Sequence, residues 1–311
     1  MKILLVRNDN IGDLVCTTPA IEALKKKYPD AQIDIVVNSY NYMAIDKNPY
    51  VDTIYSYTKP KHKKGIFNKI KALFGKIGMM SKIFFTKYDV SVVFRSGYSS
   101  SAEQFSNLSR AKMRIGVKDK NNKDNFTHHI TLNPNHNEVE FCFDCLEPLD
   151  VKYDGEKTVM YVPDEFIKKY DNYKDIIVFH VSSRVNKNKM SFEKLKDILL
   201  KLDEKIYITA EPKDFKMAEK LDNETKAVFI QTSSLLDLGG LIKHSKLFIA
   251  LEGGTTHLGP AIGVKTMALF GSSNINKWYP WGYKDLVIQD ESRVAENIDN
   301  DLIVKKIKEN I

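Results

Sequence analysis

The chain is poor in cysteine: Cys16, Cys142 and Cys145 are the only three in 311 residues. An odd number with one close pair builds neither a disulfide framework nor a zinc set, and few thiols suit a reducing compartment. Cys142 and Cys145, three apart in a helical pattern, read as core thiols. Long apolar runs are missing too: no stretch approaches the roughly 18 residues that a membrane span needs. The opening M-K-I-L-L-V-R turns polar after four apolar residues, so it does not read as a secretory signal. No G-x-G-x-x-G follows the first strand pattern, which argues against a nicotinamide site. A D-N-D triplet at 299–301 sits on a late polar stretch and reads as a helix cap rather than a metal motif. Neither a metal nor a cofactor is expected.

Charge of one sign is scarce in one place only. Between Lys59 and Tyr88 there are nine lysines and no Asp or Glu. The net charge is +7, yet without that segment 38 basic residues stand against 40 acidic ones. The basicity is a local patch, which suits a localised partner. Within it Ile66, Ile70, Leu73, Ile77, Met80 and Phe84 recur at helical spacing, with Lys69, Lys71, Lys76 and Lys82 off that stripe. A basic amphipathic helix suits an anionic lipid surface; packing on its own domain with a solvated lysine face is the plainer reading. Phenylalanines interleaved with lysines could also grip nucleic acid, but no nucleic-acid module is present and the rest of the chain is slightly acidic. No nucleic-acid partner is expected.

What is present is alternation. Apolar residues make up 43% of the chain, and its length suits two domains, 1–160 and 161–311. In the first half, strands are predicted at 2–7, 33–37, 89–94 and 112–116, and helices at 17–27, 100–109 and 136–147. In the second, strands fall at 176–180, 206–210, 227–230, 246–251 and 266–270. Helices fall at 192–202, 212–220 and 300–310, the last a candidate to cross back to the first half. Strand–helix alternation predicts an α/β fold with doubly wound parallel sheets, whose ligands bind beyond the carboxyl ends of the strands.

Two post-strand turns carry the chemistry. The first, N-D-N-I-G-D, presents Asp13 beside Gly12, on the turn before the predicted helix. Asp13 reads either as a helix cap or as a general base, and Gly12 would let a substrate approach the backbone. The second is Glu252-Gly253-Gly254-Thr255-Thr256-His257. Glycines ending a strand and threonines opening a helix suit a diphosphate: free N–H groups and hydroxyls face it. Glu252 could accept ribose hydroxyls and His257 reach a phosphate or ribose. The plain alternative is a tight capped turn.

Together these segments resemble the bacterial lipopolysaccharide heptosyltransferases, glycosyltransferase family 9. The resemblance runs through R-N-D-N-I-G-D-L-V-C-T-T-P-A-I-E-A-L-K-K-K-Y-P-D-A (7–31), E-G-G-T-T-H-L-G-P-A-I-G-V-K-T-M-A-L-F-G-S-S-N (252–274) and W-Y-P-W-G (278–282), with weaker matches at 109–116 and 136–140. It implies a GT-B type fold of two facing Rossmann-like domains, acceptor on the first and donor on the second. It implies inverting transfer of heptose from ADP-heptose to the lipopolysaccharide inner core, by a cytoplasmic enzyme peripheral to the inner membrane. By the same resemblance Asp13 is the base, with Asn10 and Gly12 beside the acceptor, and 252–257 is the diphosphate loop. Ser182 and Ser183, with Lys187 or Lys189, would hold donor phosphates, and Glu211 would lie near the nucleoside. Lys61, Lys63 and Lys64 are candidates for the acidic acceptor. The family more often has Asp where Glu252 stands. Two alternatives remain: another nucleotide-activated sugar on the same fold, or a non-catalytic membrane-surface binding protein.

Overall fold

The computed structural model describes residues 1–58, 66–121 and 123–311, with the backbone alone over 66–72. The chain divides into two compact units, Met1–Tyr161 and Val162–Ile311. Each is built on a six-stranded, wholly parallel sheet.

The first sheet comprises β1 (Lys2–Val6), β2 (Gln32–Asn38), β3 (Thr53–Tyr57), β4 (Val90–Val93), β5 (Met113–Val117) and β6 (His128–Ile130), in spatial order β3-β2-β1-β4-β5-β6. The central strands are buried on both faces, so they read as largely apolar runs, with Ser91 the buried polar residue of β4. Helices α1 (Ile11–Lys27), α2 (Ile66–Thr86), α3 (Ser100–Leu108) and α4 (Glu138–Asp144) accompany them. α1 begins six residues earlier than its sequence pattern suggested and carries Pro19 inside. Proline lacks the N–H that would bond the carbonyl of Val15. The Thr18 hydroxyl donates to that carbonyl instead, at 2.7 Å, so the helix runs on.

α2 presents much of the expected stripe to solvent. Among its described side chains Met79 and Ile83 are buried in the first core, while Leu73, Phe74, Ile77, Phe84 and Phe85 are exposed. At about 100° per residue these five fall within an arc of about 120°. An apolar helix face therefore lies in solvent. Lys61, Lys63 and Lys64 lie outside the described residues.

The second sheet comprises β7 (Ile176–His180), β8 (Ile206–Thr209), β9 (Val228–Phe229), β10 (Ser245–Leu251), β11 (Thr266–Phe270) and β12 (Val287–Gln289), in the order β12-β11-β10-β7-β8-β9. Helices α5 (Asp164–Lys168), α6 (Phe192–Leu200), α7 (Phe215–Glu224), α8 (Leu235–Lys243), α9 (Leu258–Ile262), α10 (Ile275–Trp278) and α11 (Asn300–Lys308) complete the unit. α11 buries Ile303, Val304 and Ile307 in the second unit's own core, where a crossing to the first half had been a candidate. Asp299 caps it, accepting from the Leu302 N–H at 2.7 Å. α9 lies close to the sheet: a Cβ on Gly259 would stand 1.9 Å from Thr266 Oγ1.

Among the described residues no helix is long and apolar enough to cross a membrane.

Candidate active site

In each sheet the chain order reverses once. In the first it reverses between β1 and β4, in the second between β7 and β10. Open parallel sheets bind ligands outside the carboxyl ends of the strands at such a reversal. The segments singled out from the sequence follow β1, β7 and β10, which border these two crevices.

In the first unit, Arg7 is the organising residue. It directly follows β1 and is fully buried. Its Nη2 lies 2.7 Å from both Asp13 Oδ1 and Glu138 Oε1, and its Nε 2.9 Å from Asp9 Oδ1. Its Nη1 donates to the Phe94 carbonyl just past β4, so the side chain bridges the two strands at the reversal. The backbone of this loop is clamped by amides at the end of β2 and just after it. Asn41 Nδ2 donates to the Arg7 carbonyl at 3.1 Å, and Asn38 Nδ2 to those of Asn8 and Asp9 at 2.8 and 2.9 Å. Burial outweighs the pull of Arg7 and, with Asp13 adding to it, pushes the Asp9 carboxyl up to about 6. Glu138 is delivered by a capped helix start. Asn137 accepts from the Val139 N–H at 3.0 Å, and Glu140 accepts from the Asn137 N–H at 2.6 Å.

Asp13 stands in the first turn of α1, not on a turn before it, and it is not the cap: Asn10 holds that position and makes no side-chain capping bond. A carboxylate in the first turn of a helix faces the positive end of its dipole. Asn10 is exposed and Gly12 is buried. The residues that sequence reasoning passed over are Arg7, Asp9, Arg95 and Glu138. Their signal was thin: an arginine ending an apolar strand, and a glutamate among apolar helix residues 131 positions away.

In the second unit four post-strand loops are stitched together. Ser183 Oγ donates to the Glu252 carbonyl at 2.7 Å, joining the loops after β7 and β10. Ser182 Oγ accepts from the Glu211 N–H at 2.8 Å, joining β7 to β8. Asn188 Oδ1 accepts from the backbone and hydroxyl of Ser272 at 2.8 and 2.9 Å. The Glu252 carboxylate, buried, accepts from the N–H groups of Gly271 and Ser273 at 2.9 and 3.2 Å and from the Ser273 hydroxyl. These bonds make Glu252 a clasp on the loop after β11; the ribose contact expected of it would have to displace them. Ser182 and Ser183 likewise serve the loops, both being buried.

The segment 252–257 departs from the expected helix start. Gly254–His257 form a 3-10 turn that leads into the five-residue α9. Gly253 and Gly254 are exposed and Thr255 is half-buried, whereas Thr256 is buried and its hydroxyl donates to the Gly253 carbonyl at 2.7 Å. The accessible donors here are thus the Gly-Gly backbone and Thr255. The His257 ring stands edge-on to Trp278 at 6.2 Å. Glu211 pairs with Arg184 at 3.2 Å and Lys213 at 3.6 Å. Lys187 and Lys189 are both exposed, and Lys189 Nζ donates to Asn186 Oδ1 at 2.9 Å. His180, ending β7, is buried; burial pushes its imidazole down to about 4, so it is neutral. Among the described residues no cluster of three or more His, Cys, Asp or Glu is arranged to hold a metal.

Known proteins fit this arrangement. The profile of glycosyltransferase family 9 (heptosyltransferase) matches residues 79–307. Lipopolysaccharide heptosyltransferase 3 of Escherichia coli is 25% identical over 292 residues, covering 87% of this chain and 83% of its own length. A putative glycosyltransferase of Haemophilus influenzae is 22% identical over 311 residues, covering 90% of this chain and 86% of its own. Among solved structures, the family 9 glycosyl transferase from Veillonella parvula superposes with a TM-score of 0.82 at 19% identity, covering 99% of this chain and 96% of that one. The E. coli heptosyltransferase WaaC with ADP also gives 0.82, at 16% identity and full coverage of both chains. At such identities the structural likeness speaks for the α/β, GT-B type fold. Family membership sets aside the reading of the chain as a non-catalytic membrane-surface binding protein. The chain belongs to glycosyltransferase family 9, the heptosyltransferases, and is a glycosyltransferase.

Proposed function

We propose that this enzyme transfers a heptose from ADP-heptose to the lipopolysaccharide inner core, with Asp13 as general base. The observation that carries the reading is the placement of Asp13, a partly exposed carboxylate held by Arg7 beyond β1 at the reversal of the first sheet. The curated relatives, named for lipopolysaccharide heptosyl transfer, support the substrate class. In this reading Asp13 takes the proton of an acceptor hydroxyl as its oxygen attacks the anomeric carbon. The bond to the diphosphate breaks as the new one forms, through an oxocarbenium-like state with inversion. The second unit holds the donor. Backbone amides at Gly253 and Gly254, the Thr255 hydroxyl and Lys187 or Lys189 offset the charge gathering on the leaving diphosphate. Replacing Asp13 by Asn tests the base: transfer is lost while donor binding is kept, and a parental rate in that variant refutes it. Thermal-shift measurements with ADP, UDP, GDP and CDP test the donor; preferential stabilisation by a nucleotide other than ADP points to a different activated sugar.

The exposed face of α2 supports work at the anionic, cytoplasmic surface of the inner membrane. Leu73, Phe74, Ile77, Phe84 and Phe85 would enter the acyl boundary, with Lys82, Lys87 and Arg110 at the headgroups. The Arg110 guanidinium already sits 5.0 Å from the Phe84 ring. Phe74→Ser with Phe85→Ser should lower flotation with phosphatidylglycerol vesicles at least tenfold, since each exposed phenylalanine can bury about 1.5–3 kcal/mol. Unchanged flotation refutes this docking face.

A further inference from the structure

We propose that Arg7, Asp9 and Glu138 are positioning residues for the base: Arg7 orients the Asp13 carboxylate, and the two other acids share its guanidinium so that Asp13 stays basic. The inference rests on Asp13 being the base.

The geometry is unusual for a structural ion pair. One fully buried guanidinium meets three carboxylates within 2.9 Å, and Arg95 stands at the edge of the set, 3.7 Å from Asp9 and donating to Asn8 Oδ1 at 3.3 Å. The thiols facing the cluster add no charge at neutral pH: burial pushes Cys142 up to about 12 and raises Cys16 as well. Arg7 therefore faces three carboxylates at once. Buried ion clusters stabilise proteins weakly, and removing either side leaves an uncompensated charge. Fold stability alone does not call for three acids on one guanidinium.

Catalysis does. A carboxylate paired one-to-one with a buried guanidinium is held ionised but loses affinity for a proton. A base must be ionised, oriented and still able to accept. Here Arg7 Nη2 is divided evenly between Asp13 and Glu138, at 2.7 Å each, and Nε is turned to Asp9. Arg7 thus fixes where the Asp13 carboxylate points, while Glu138 and Asp9 draw off part of its field. When Asp13 takes the acceptor proton, the guanidinium is left with two partners, so the charge released is reabsorbed without a buried cation being stranded. The capped start of α4 and the amide clamps on the 7–9 loop hold both sides in register.

Glu138→Gln keeps an acceptor oxygen at the same place and removes only the charge. Asp9→Asn does the same at the less buried edge of the cluster. Both should move the acid limb of the kcat–pH profile to lower pH and lower the plateau on the order of tenfold, with the KM for ADP-heptose and for a deacylated inner-core acceptor unchanged. A 13C titration of the Asp13 carboxyl, assigned through Asp13→Asn, should move the same way without any substrate. Should Glu138→Gln not fold, Asp9→Asn decides. Limbs and carboxyl titrations that superimpose on the parent, or a kcat scaled down with no displacement, overturn the positioning role. If Asp13→Asn abolishes transfer while those profiles stay put, only this inference falls. If Asp13→Asn transfers at the parental rate, the base reading falls and this one with it.

Discussion

Replacing Glu252 by Gln should loosen the second unit by an amount that its bonds allow to be worked out. The carboxylate is buried and accepts from two backbone N–H groups, those of Gly271 and Ser273, and from the Ser273 hydroxyl. Hydrogen bonds to a charged group contribute about 1.5–3 kcal/mol, against about 0.5–1.5 kcal/mol for neutral ones. An amide keeps one acceptor oxygen and neutralises the rest, so each of the three bonds should lose about 1 kcal/mol, about 3 kcal/mol together. For a unit of this size each kcal/mol is worth about 2–4 °C, which places the expected fall in Tm at about 6–12 °C. The Ser183 bond to the Glu252 carbonyl is untouched, so the β7–β10 link survives and the loss stays local to the loop after β11. Scanning calorimetry is the assay. Glu252→Ala, which also opens a cavity, should lose more. A Gln variant whose transition falls by less than about 2 °C would mean that the clasp carries no net stability, and the arithmetic above would be wrong.

Two other perturbations test the same unit. Gly259→Ala places a methyl group 1.9 Å from Thr266 Oγ1 and 3.0 Å from Phe248 Cδ1. It should cost about 1–3 kcal/mol in urea unfolding, and pairing it with Thr266→Ala should recover part of that loss. His180 is buried and neutral, with its pKa depressed to about 4. A depressed pKa means that the unfolded chain binds the proton first, so stability is full above about 6.5 and falls as pH drops through about 4, by about 3 kcal/mol in all. Urea midpoints across that window should flatten in His180→Gln; an unchanged slope assigns the acid sensitivity elsewhere.

The central strands were legible in the sequence because burial on both faces leaves a largely apolar run. Ile176–His180 and Thr266–Phe270 fall where the pattern placed them. The strands that escaped, Thr53–Tyr57, His128–Ile130 and Val287–Gln289, are all sheet edges. An edge strand has one neighbour, buries less and need not be apolar. α8 escaped as well, its L-L-D-L-G-G-L-I-K broken by two glycines. One of them, Gly240, is needed where the Phe166 backbone comes so close that a Cβ would lie 2.2 Å from its carbonyl oxygen. The start of α1 was hidden because R-N-D-N-I-G-D is polar and reads as a turn. Those polar groups are spent on Arg7, Asn38 and Asn41 rather than on solvent.

The sequence by itself determined the alternation of strands and helices, the local basic patch and the two polar turns that follow β1 and β10. These are properties of neighbours along the chain: apolar period, turn residues and charge density act over a few positions. Tertiary structure alone decided the partners. It brought Glu138 to Arg7 across 131 residues, turned Glu252 and the two serines into loop clasps, and left the Phe74 and Phe85 face of α2 uncovered. Hydrogen bonds and ion pairs act at about 3 Å in space, and no local pattern records which distant loop the fold will bring within that reach.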